Sequence, residues 1–202
     1  GLFSIDVAEM GIDLLAASGH KGLMGPPGTG FLYVREGLDV RPLLYGGTGM
    51  LSDSEYQPGA MPERLESGTL NTIGLAGLKA AIDYIEQEGR EKIRTHETGL
   101  LEQLLDGLAE IPGLKLYGPA VAERHGSAVS FAVSAVDPST LGFRLDHEYG
   151  ICCRTGLHCA PDAHRTIGTY PAGTVRVSPG YFNTAEEIEC FLNALRTLVS
   201  AG

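Results

Sequence analysis

A lysine stands in a segment of this sequence whose neighbours suit covalent chemistry. Lys21 belongs to the run Ser-Gly-His-Lys-Gly, which follows a short and mostly apolar stretch. A lysine among glycines and small residues can lose part of its hydration, and the neutral amine is the form that Schiff-base chemistry requires. Ser18 and His20 add a hydroxyl and an imidazole, which suit an anionic phosphate. By spacing alone, a solvated surface lysine is the commoner interpretation.

A cysteine stands in a second such segment, the run Arg154-Thr-Gly-Leu-His-Cys159. This run leaves a predicted strand and enters a predicted loop that continues to about residue 173. Loops much longer than about 12 residues in compact domains are often functional. His158 and Arg154 are near enough in sequence to keep the Cys159 thiol partly ionised. The other cysteines fall in predicted strands or helices, where packing roles are expected: Cys152, Cys153 and Cys190.

The same region offers thiols and imidazoles that could be considered as metal ligands: Cys152, Cys153, Cys159, His158 and His164. Zinc sites usually carry a Cys-x2-4-Cys spacing, whereas this region shows Cys-Cys and Cys-x5-Cys. The spacing therefore disfavours a metal site, and no metal is expected. His164 is expected to be a solvent-exposed loop histidine.

Two further features suit anion binding. Arg176 stands in the otherwise apolar strand Thr-Val-Arg-Val-Ser, and a buried arginine is costly unless it meets an anion. An outward-facing arginine on an alternating strand is an equally good interpretation. Gly68 and Thr69 lie in Glu-Ser-Gly-Thr-Leu-Asn, just before a predicted helix start, which is a plausible anion cradle.

Hydrophobic periodicity and turn residues predict an α/β fold in which a sheet is covered by helices. Strands are expected at 12–17, 31–34, 114–117, 127–135, 151–155 and 174–178, with a long loop over 46–69. Helices are expected at 72–88, around 100–108, at 138–149 and from a capping box at Thr184 onward. The stretch 12–17 is expected to be a buried strand. The domain boundary is expected within or just after the 72–88 helix, which gives domains 1–85 and 86–202.

Together these segments resemble the class V aminotransferase superfamily of fold-type I pyridoxal-phosphate (PLP) enzymes, and within it the NifS/SufS-like cysteine desulfurases. The run from Ser18 to Gly30 resembles the cofactor-lysine motif, and the Gly68–Thr69 segment resembles the phosphate element. The Cys159 segment is similar to the active-site cysteine motif of the SufS type. The strand of Arg176 resembles the one that carries the substrate-carboxylate arginine. The four motifs occur in the family's order and cover almost the whole chain.

The resemblance implies a fold and a set of roles. The fold would be the C-terminal part of the PLP-binding large domain followed by a small α/β domain. Lys21 would form the Schiff base with PLP, and Ser18, His20 and Gly68 would lie at its phosphate. Thr69 would reach the phosphate from the other subunit of a homodimer. Arg176 would bind the substrate carboxylate, with Arg154 and His158 near the substrate, and Cys159 would take the sulfur of L-cysteine as a persulfide and leave L-alanine.

The resemblance also sets expectations about what this chain lacks. Relatives carry a comparable length of chain upstream, so the sequence is expected to be a fragment that is inactive when isolated. The Cys152-Cys153 pair and the continuation Pro161 to His164 differ from the best-known SufS motif, which suggests a sister subgroup. A class V aminotransferase, a selenocysteine lyase and a non-catalytic dimerisation or acceptor-binding fragment remain alternative interpretations.

The net charge, the hydropathy and the cysteine content limit which binding partners and which location are expected. The net charge of −10 disfavours nucleic-acid binding, which needs a basic face. No apolar run approaches the ~18 residues of a membrane span, and no signal pattern opens the chain. The 4 cysteines do not suggest a disulfide framework, so a reducing cytoplasm is the expected location. A small-molecule substrate, a second subunit and a sulfur-acceptor protein are the expected partners.

Overall fold

A computed structural model of the chain describes residues 1–51, 53–134 and 136–200. The chain divides into two units, residues 1–90 and residues 91–202, and each has its own strands. In the part of the chain that the structure describes, no helix is long and apolar enough to cross a membrane.

The first unit contains a two-stranded antiparallel sheet and a long helix. Strand β1 (Leu14–Ser18) pairs with β2 (Gly30–Val34), and helix α1 spans Thr72–Glu88. Between them, the described residues of 46–69 form turns, loops and a short 3-10 helix, as expected, and residue 52 lies outside the described residues. The side chains of β1 are exposed or half-buried, so the prediction of a buried strand was wrong. In a sheet with one neighbouring strand, β1 has little to bury its side chains against.

Helix α1 begins and ends where its sequence carries capping signals. The Asn71 side chain accepts a hydrogen bond from the backbone N–H of Gly74 at 3.0 Å, and Gly89 follows the last turn with a φ of 89°. Asparagine at the N-cap satisfies one of the free N–H groups of the first turn, and a glycine adopts positive φ without strain. The expected helix over 72–88 is therefore confirmed.

The second unit is a four-stranded antiparallel sheet with helices packed on it. Its strands lie in the order β3 (Leu114–Tyr117), β4 (Val129–Val133), β6 (Thr174–Val177) and β5 (Arg154–Gly156). Its helices are α2 (Arg90–Ala109), α3 (Pro138–Tyr149), α4 (Pro161–Ile167) and α5 (Ala185–Ser200). The strand predicted over 127–135 is shorter, and its last residue lies outside the described residues.

The sheet buries one face and leaves chemistry-bearing residues on the other. Phe131 pairs with Val175, both fully buried, and Val175 pairs with Thr155 on β5. Residues that pair directly point to the same face, and neighbours along a strand point to opposite faces. Arg176 and its partner Arg154 therefore share the face opposite the core. Arg176 is half-buried on that face, so it points away from the core without being fully exposed to solvent.

The core of this unit is formed mainly by leucines of three helices against the buried face of the sheet. Its fully buried large side chains are Leu101, Leu104, Leu108, Phe131, Leu141, Leu145, Leu195 and Leu198. Phe131 meets Phe191 of α5 edge-on, with ring centroids 6.2 Å apart. A rigid core of this kind fixes strands β5 and β6, which carry the residues described next.

Candidate active site

The loop between β1 and β2 presents Lys21 on a tightly bonded backbone. The N–H of Gly19 donates to the carbonyl of Thr29, and the N–H of Gly25 donates to the carbonyl of Gly19, both at 2.8 Å. The N–H of Met24 donates to the carbonyl of Lys21 at the same distance. These bonds hold the loop at both ends and next to the lysine. The side chains of three expected site residues are exposed at the loop: Ser18, His20 and Lys21.

The Lys21 ammonium has no carboxylate within 4.0 Å among the described residues. Lys79, by contrast, is held by Asp83 at 2.5 Å on helix α1. An amine that is not committed to an ion pair is available to a ligand. The donor set around it, a hydroxyl and an imidazole, fits an anionic phosphate.

Thr29 connects the Lys21 loop to the first turn of α1. It is buried, with 8% of its surface exposed, and its hydroxyl donates to the carbonyl of Pro26 at 2.6 Å. A Cβ added to Gly19 would lie 2.2 Å from Thr29 Oγ1, and one added to Gly74 would lie 2.9 Å from Thr29 Cγ2. A side chain at either position would press on Thr29, and at Gly74 it would press even more closely on the side chain of Asn71.

The Gly68–Thr69 segment precedes α1 and is anchored to an earlier loop. The N–H of Gly68 donates to the carbonyl of Gly47 at 2.7 Å, and Gly68 has a φ of 90°. The Thr69 side chain is exposed. No described contact joins Thr69 to Lys21, so the structure places the two on separate loops of the first unit.

In the second unit, Cys159 occupies a tight turn between β5 and α4. Its Sγ accepts a hydrogen bond from Nη2 of Arg154 at 3.0 Å, and the thiol is exposed and free. His158 and Cys159 have φ values of 50° and 63°. The left-handed region is unfavourable for residues with a Cβ, so contacts elsewhere must stabilise this turn.

His158 is the main contact of that turn with the sheet. Its Nε2 is hydrogen-bonded to Oγ1 of Thr174 at 3.0 Å. Burial lowers the pKa of His158 below its ordinary value, and the charges of Arg176, His164 and Arg154 lower the pKa further. The imidazole is therefore neutral at pH 7, where it can act as a donor or an acceptor.

Arg176 lies beside this turn on the open face of the sheet. Its Nε is buried and has no hydrogen-bond partner among the described residues. The same holds for Nδ1 of His158. A buried guanidinium N–H without a partner is costly, so this group is suited to meet an anion. The structure therefore brings together four residues that the sequence singled out: Arg154, His158, Cys159 and Arg176.

The loop that the sequence predicted between residues 156 and 173 contains helix α4. The prediction of one long loop was wrong, because Pro161 at the first helical position and Gly168 at the left-handed end enclose a seven-residue helix. His164 lies on this helix and is 4% exposed, not solvent-exposed as predicted. Its Nδ1 is hydrogen-bonded to Oγ1 of Thr169 at 2.6 Å. That contact offsets the cost of burying the imidazole.

Two of the other three cysteines depart from their predicted packing roles, whereas Cys153 packs against the core of the second unit as predicted. Cys152 and Cys190 are exposed, and both line a cavity of about 500 Å³ whose apolar wall includes Leu104 and Phe191. Cys153 is half-buried, and burial raises the pKa of its thiol. Strand β5 begins at Arg154, so Cys152 and Cys153 precede it rather than lying on it.

Two buried threonines were missed by sequence reasoning. Thr174 is fully buried and Thr169 is 8% exposed, and each is bonded to a histidine. Thr174 opens a predicted strand, which gave no sign of a polar role. The spacing His-x4-Thr between His164 and Thr169 would have indicated their hydrogen bond only if helix α4 had been predicted.

Comparisons with known proteins show which family and which proteins the chain is similar to. The chain matches the aminotransferase class-V family over residues 2–191. It is 41% identical to a probable cysteine desulfurase of Pyrococcus abyssi over 100% of this chain and 50% of that protein. It is 37% identical to one of Methanothermobacter thermautotrophicus over 100% of this chain and 51% of that protein.

Solved structures show the same similarity. The apo cysteine desulfurase of Thermococcus onnurineus matches with a TM-score of 0.89 and 38% identity, covering 97% of this chain and 49% of that one. The cysteine desulfurase CsdA of Escherichia coli matches with a TM-score of 0.86 and 30% identity, covering 99% of this chain and 49% of that one. The chain thus spans about half the length of these relatives. Its mixed α/β fold corresponds to the C-terminal portion of theirs.

Proposed function

Because the chain belongs to the aminotransferase class-V family, we propose that it is part of a PLP-dependent cysteine desulfurase that converts L-cysteine to L-alanine. The sulfur would be taken up by Cys159 as a persulfide. The observation that supports this most directly is the exposed Cys159 thiol held 3.0 Å from the Arg154 guanidinium. An aminotransferase has no need of such a thiol.

The residues of the first unit fit a PLP site. Lys21 has no ion-pair partner among the described residues, and Ser18 and His20 present donors beside it. Gly68 and Thr69 would complete the phosphate contacts. When bound, PLP would supply the electron sink for charge that develops on the amino-acid carbon. Lys21 would hold and move the proton at that carbon, because it is the amine nearest to where the cofactor would sit.

The residues of the second unit would bind the amino acid and accept its sulfur. Arg176 would hold the substrate carboxylate, because a guanidinium binds a carboxylate with two parallel hydrogen bonds. The Cys159 thiolate would form an S–S bond with the substrate sulfur as the C–S bond breaks and its electron pair stays on carbon. Arg154 would hold the Cys159 sulfur in place through its hydrogen bond, and His158, neutral at pH 7, would lie near the substrate.

The domain organisation, the homodimer and the sulfur acceptor are also proposed. Residues 1–85 would be the end of the PLP-binding large domain, and residues 86–202 would be the small C-terminal domain. The enzyme would be a cytoplasmic homodimer in which Thr69 serves the phosphate of the other subunit. A sulfur-acceptor protein would then take the persulfide sulfur. The exposure of Cys159 and Thr69 is consistent with these contacts.

The test is alanine formation from L-cysteine in a polypeptide that extends this chain to the full length of its relatives. Cys159→Ser should abolish alanine formation, while Cys190→Ser, which alters another exposed thiol, should leave it unchanged. Mass spectrometry after reaction with cysteine should find the persulfide on Cys159. Normal alanine formation by Cys159→Ser would refute the desulfurase mechanism and favour another class V activity.

A further inference from the structure

The turn that carries Cys159 has an unfavourable backbone that its own sequence does not explain. Two consecutive non-glycine residues, His158 and Cys159, have φ values of 50° and 63°. Left-handed backbone is costly for each residue with a Cβ, and such conformations persist only where surrounding contacts enforce them. Locally the turn has one backbone hydrogen bond, from the N–H of Ala160 to the carbonyl of Leu157 at 2.8 Å. The remaining stabilisation must come from side chains.

His158 provides that stabilisation through Thr174. The 3.0 Å contact between Nε2 and Thr174 Oγ1 is the ring's one hydrogen bond among the described residues, because Nδ1 is buried without a partner. Thr174 is fully buried at the start of β6, and β6 is paired with both β4 and β5. The hydroxyl therefore belongs to a buried residue of a strand that is paired on both sides.

A second histidine packs against the ring of His158. The centroids of His158 and His164 are 5.5 Å apart, and His164 is bonded in turn to Thr169. We call these four residues, His158, His164, Thr169 and Thr174, the histidine–threonine cluster. The cluster lies beneath the Cys159 turn and joins it to α4 and β6. None of its members needs to touch a substrate to have this effect.

We propose that Thr174 is a positioning residue for Cys159: by holding His158, it keeps the turn left-handed and the Cys159 sulfur against Arg154. The importance of this for catalysis rests on the proposed function, in which Cys159 is the reacting thiol. The geometric claim is independent of it, because the Arg154–Cys159 contact exists in the chain without any substrate.

Removal of the Thr174 hydroxyl should release the turn. In Thr174→Val both ring nitrogens of His158 would be buried without a partner, and leaving polar groups in that state is unfavourable. The imidazole would then move towards water, and the backbone could relax to negative φ. The Cys159 sulfur would lose the hydrogen bond that the Arg154 guanidinium donates to it, and with it the fixed position from which it reacts with an alkylating reagent.

The experiment measures the alkylation rate of Cys159 by iodoacetamide, with peptide mass spectrometry, in the full-length polypeptide described above. Thr174→Val should slow Cys159 about tenfold, the factor that corresponds to one hydrogen bond to a charged group. Thr174→Ser, which keeps the hydroxyl, should react at the original rate. Thr166→Val is the matched control, because its hydroxyl bonds only to the backbone of exposed α4. Cys190 serves as the internal reference in every variant.

A double variant separates positioning from general damage. If Thr174 acts through Arg154, then Thr174→Val should add nothing to the slowing already caused by Arg154→Gln. Additive effects, equal slowing of Cys190, or a Cys159 rate in Thr174→Val within twofold of the original would each overturn the proposal. If circular dichroism shows that Thr174→Val does not fold, His158→Phe breaks the same contact and should give the same slowing. An unchanged rate in that variant would overturn the proposal as well.

The alkylation experiment can fail or succeed independently of the test for desulfurase activity. Alkylation requires neither PLP nor L-cysteine, so a polypeptide without desulfurase activity can still show the coupling between Thr174 and Arg154. Conversely, a polypeptide that forms alanine through Cys159 while Thr174→Val leaves the alkylation rate unchanged would keep the desulfurase proposal and remove this one.

Discussion

The substitution Gly19→Ala tests whether the loop of Lys21 is held in place by its fit against Thr29. The new Cβ would lie 2.2 Å from Thr29 Oγ1 and 3.1 Å from Thr29 Cβ. Thr29 cannot easily move away, because a β-branched side chain has few rotamers and its hydroxyl is bonded to Pro26. The backbone of the Lys21 loop would have to shift instead.

The expected cost is that of inserting one methyl group into a well-packed site, about 1–3 kcal/mol of the free energy of unfolding. Chemical denaturation should show this loss. PLP titration of the full-length polypeptide should show weaker binding, because Lys21 is two residues from the displaced position. Gly59→Ala is the matched control: it has no described atom within 4 Å of its added Cβ and no positive φ.

A second substitution localises the clash. Thr29→Ala removes Oγ1, the atom that the new Cβ would meet first, while the Thr29 Cβ remains. The double variant should therefore lose less stability than the sum of the two single variants. If Gly19→Ala proved as stable as Gly59→Ala, and bound PLP equally well, the close approach to Thr29 would not be what positions Lys21.

Two other predictions concern Lys21 and His158. Borohydride treatment of the full-length polypeptide with PLP should leave a pyridoxyl group on the Lys21 peptide, since no described carboxylate is paired with its amine. Label on Lys79, which is paired with Asp83, would contradict the assignment. Burial lowers the pKa of His158, so the unfolded chain takes up its proton first as pH falls. Stability should therefore decrease below about pH 6.5, the ordinary histidine value. His158→Phe should show a shallower decrease between pH 7 and 5.5 in urea denaturation, and an unchanged slope would mean that another group causes it.

Helix boundaries were largely predictable where the caps are local. Helix α3 extends over Pro138–Tyr149 as predicted, with the Asp137 side chain accepting from two N–H groups and Gly150 closing it at a φ of 67°. Helix α5 opens with the reciprocal bonds of a capping box between Thr184 and Glu187. Such signals lie within four residues of the boundary, so the sequence alone carries them.

Helix α4 and the burial of His164 show where local signals are insufficient. Seven residues are too short for hydrophobic periodicity to appear, so only Pro161 and Gly168 could have indicated the helix. Whether His164 is buried depends on Thr169 and on the packing of α4, and neither is visible as a pattern. A polar side chain is by default expected at the surface, and that expectation fails where a specific partner exists.

The site of the second unit depends even more on long-range geometry. From the sequence, Arg176 was equally compatible with an anion site and with a position that faces away from the core. The register of β5 against β6 shows that the two interpretations do not exclude each other, because the candidate site lies on the face away from the core. That register places Arg154 opposite Arg176 on the face away from the core, and a shift of one residue would bury both. The left-handed backbone at His158 and Cys159 has no sequence signal at all, since neither residue is a glycine. In our proposal the sheet, through Thr174, holds these two residues in a backbone conformation that their own side chains disfavour. Such unfavourable conformations are expected to concentrate where a chain does chemistry.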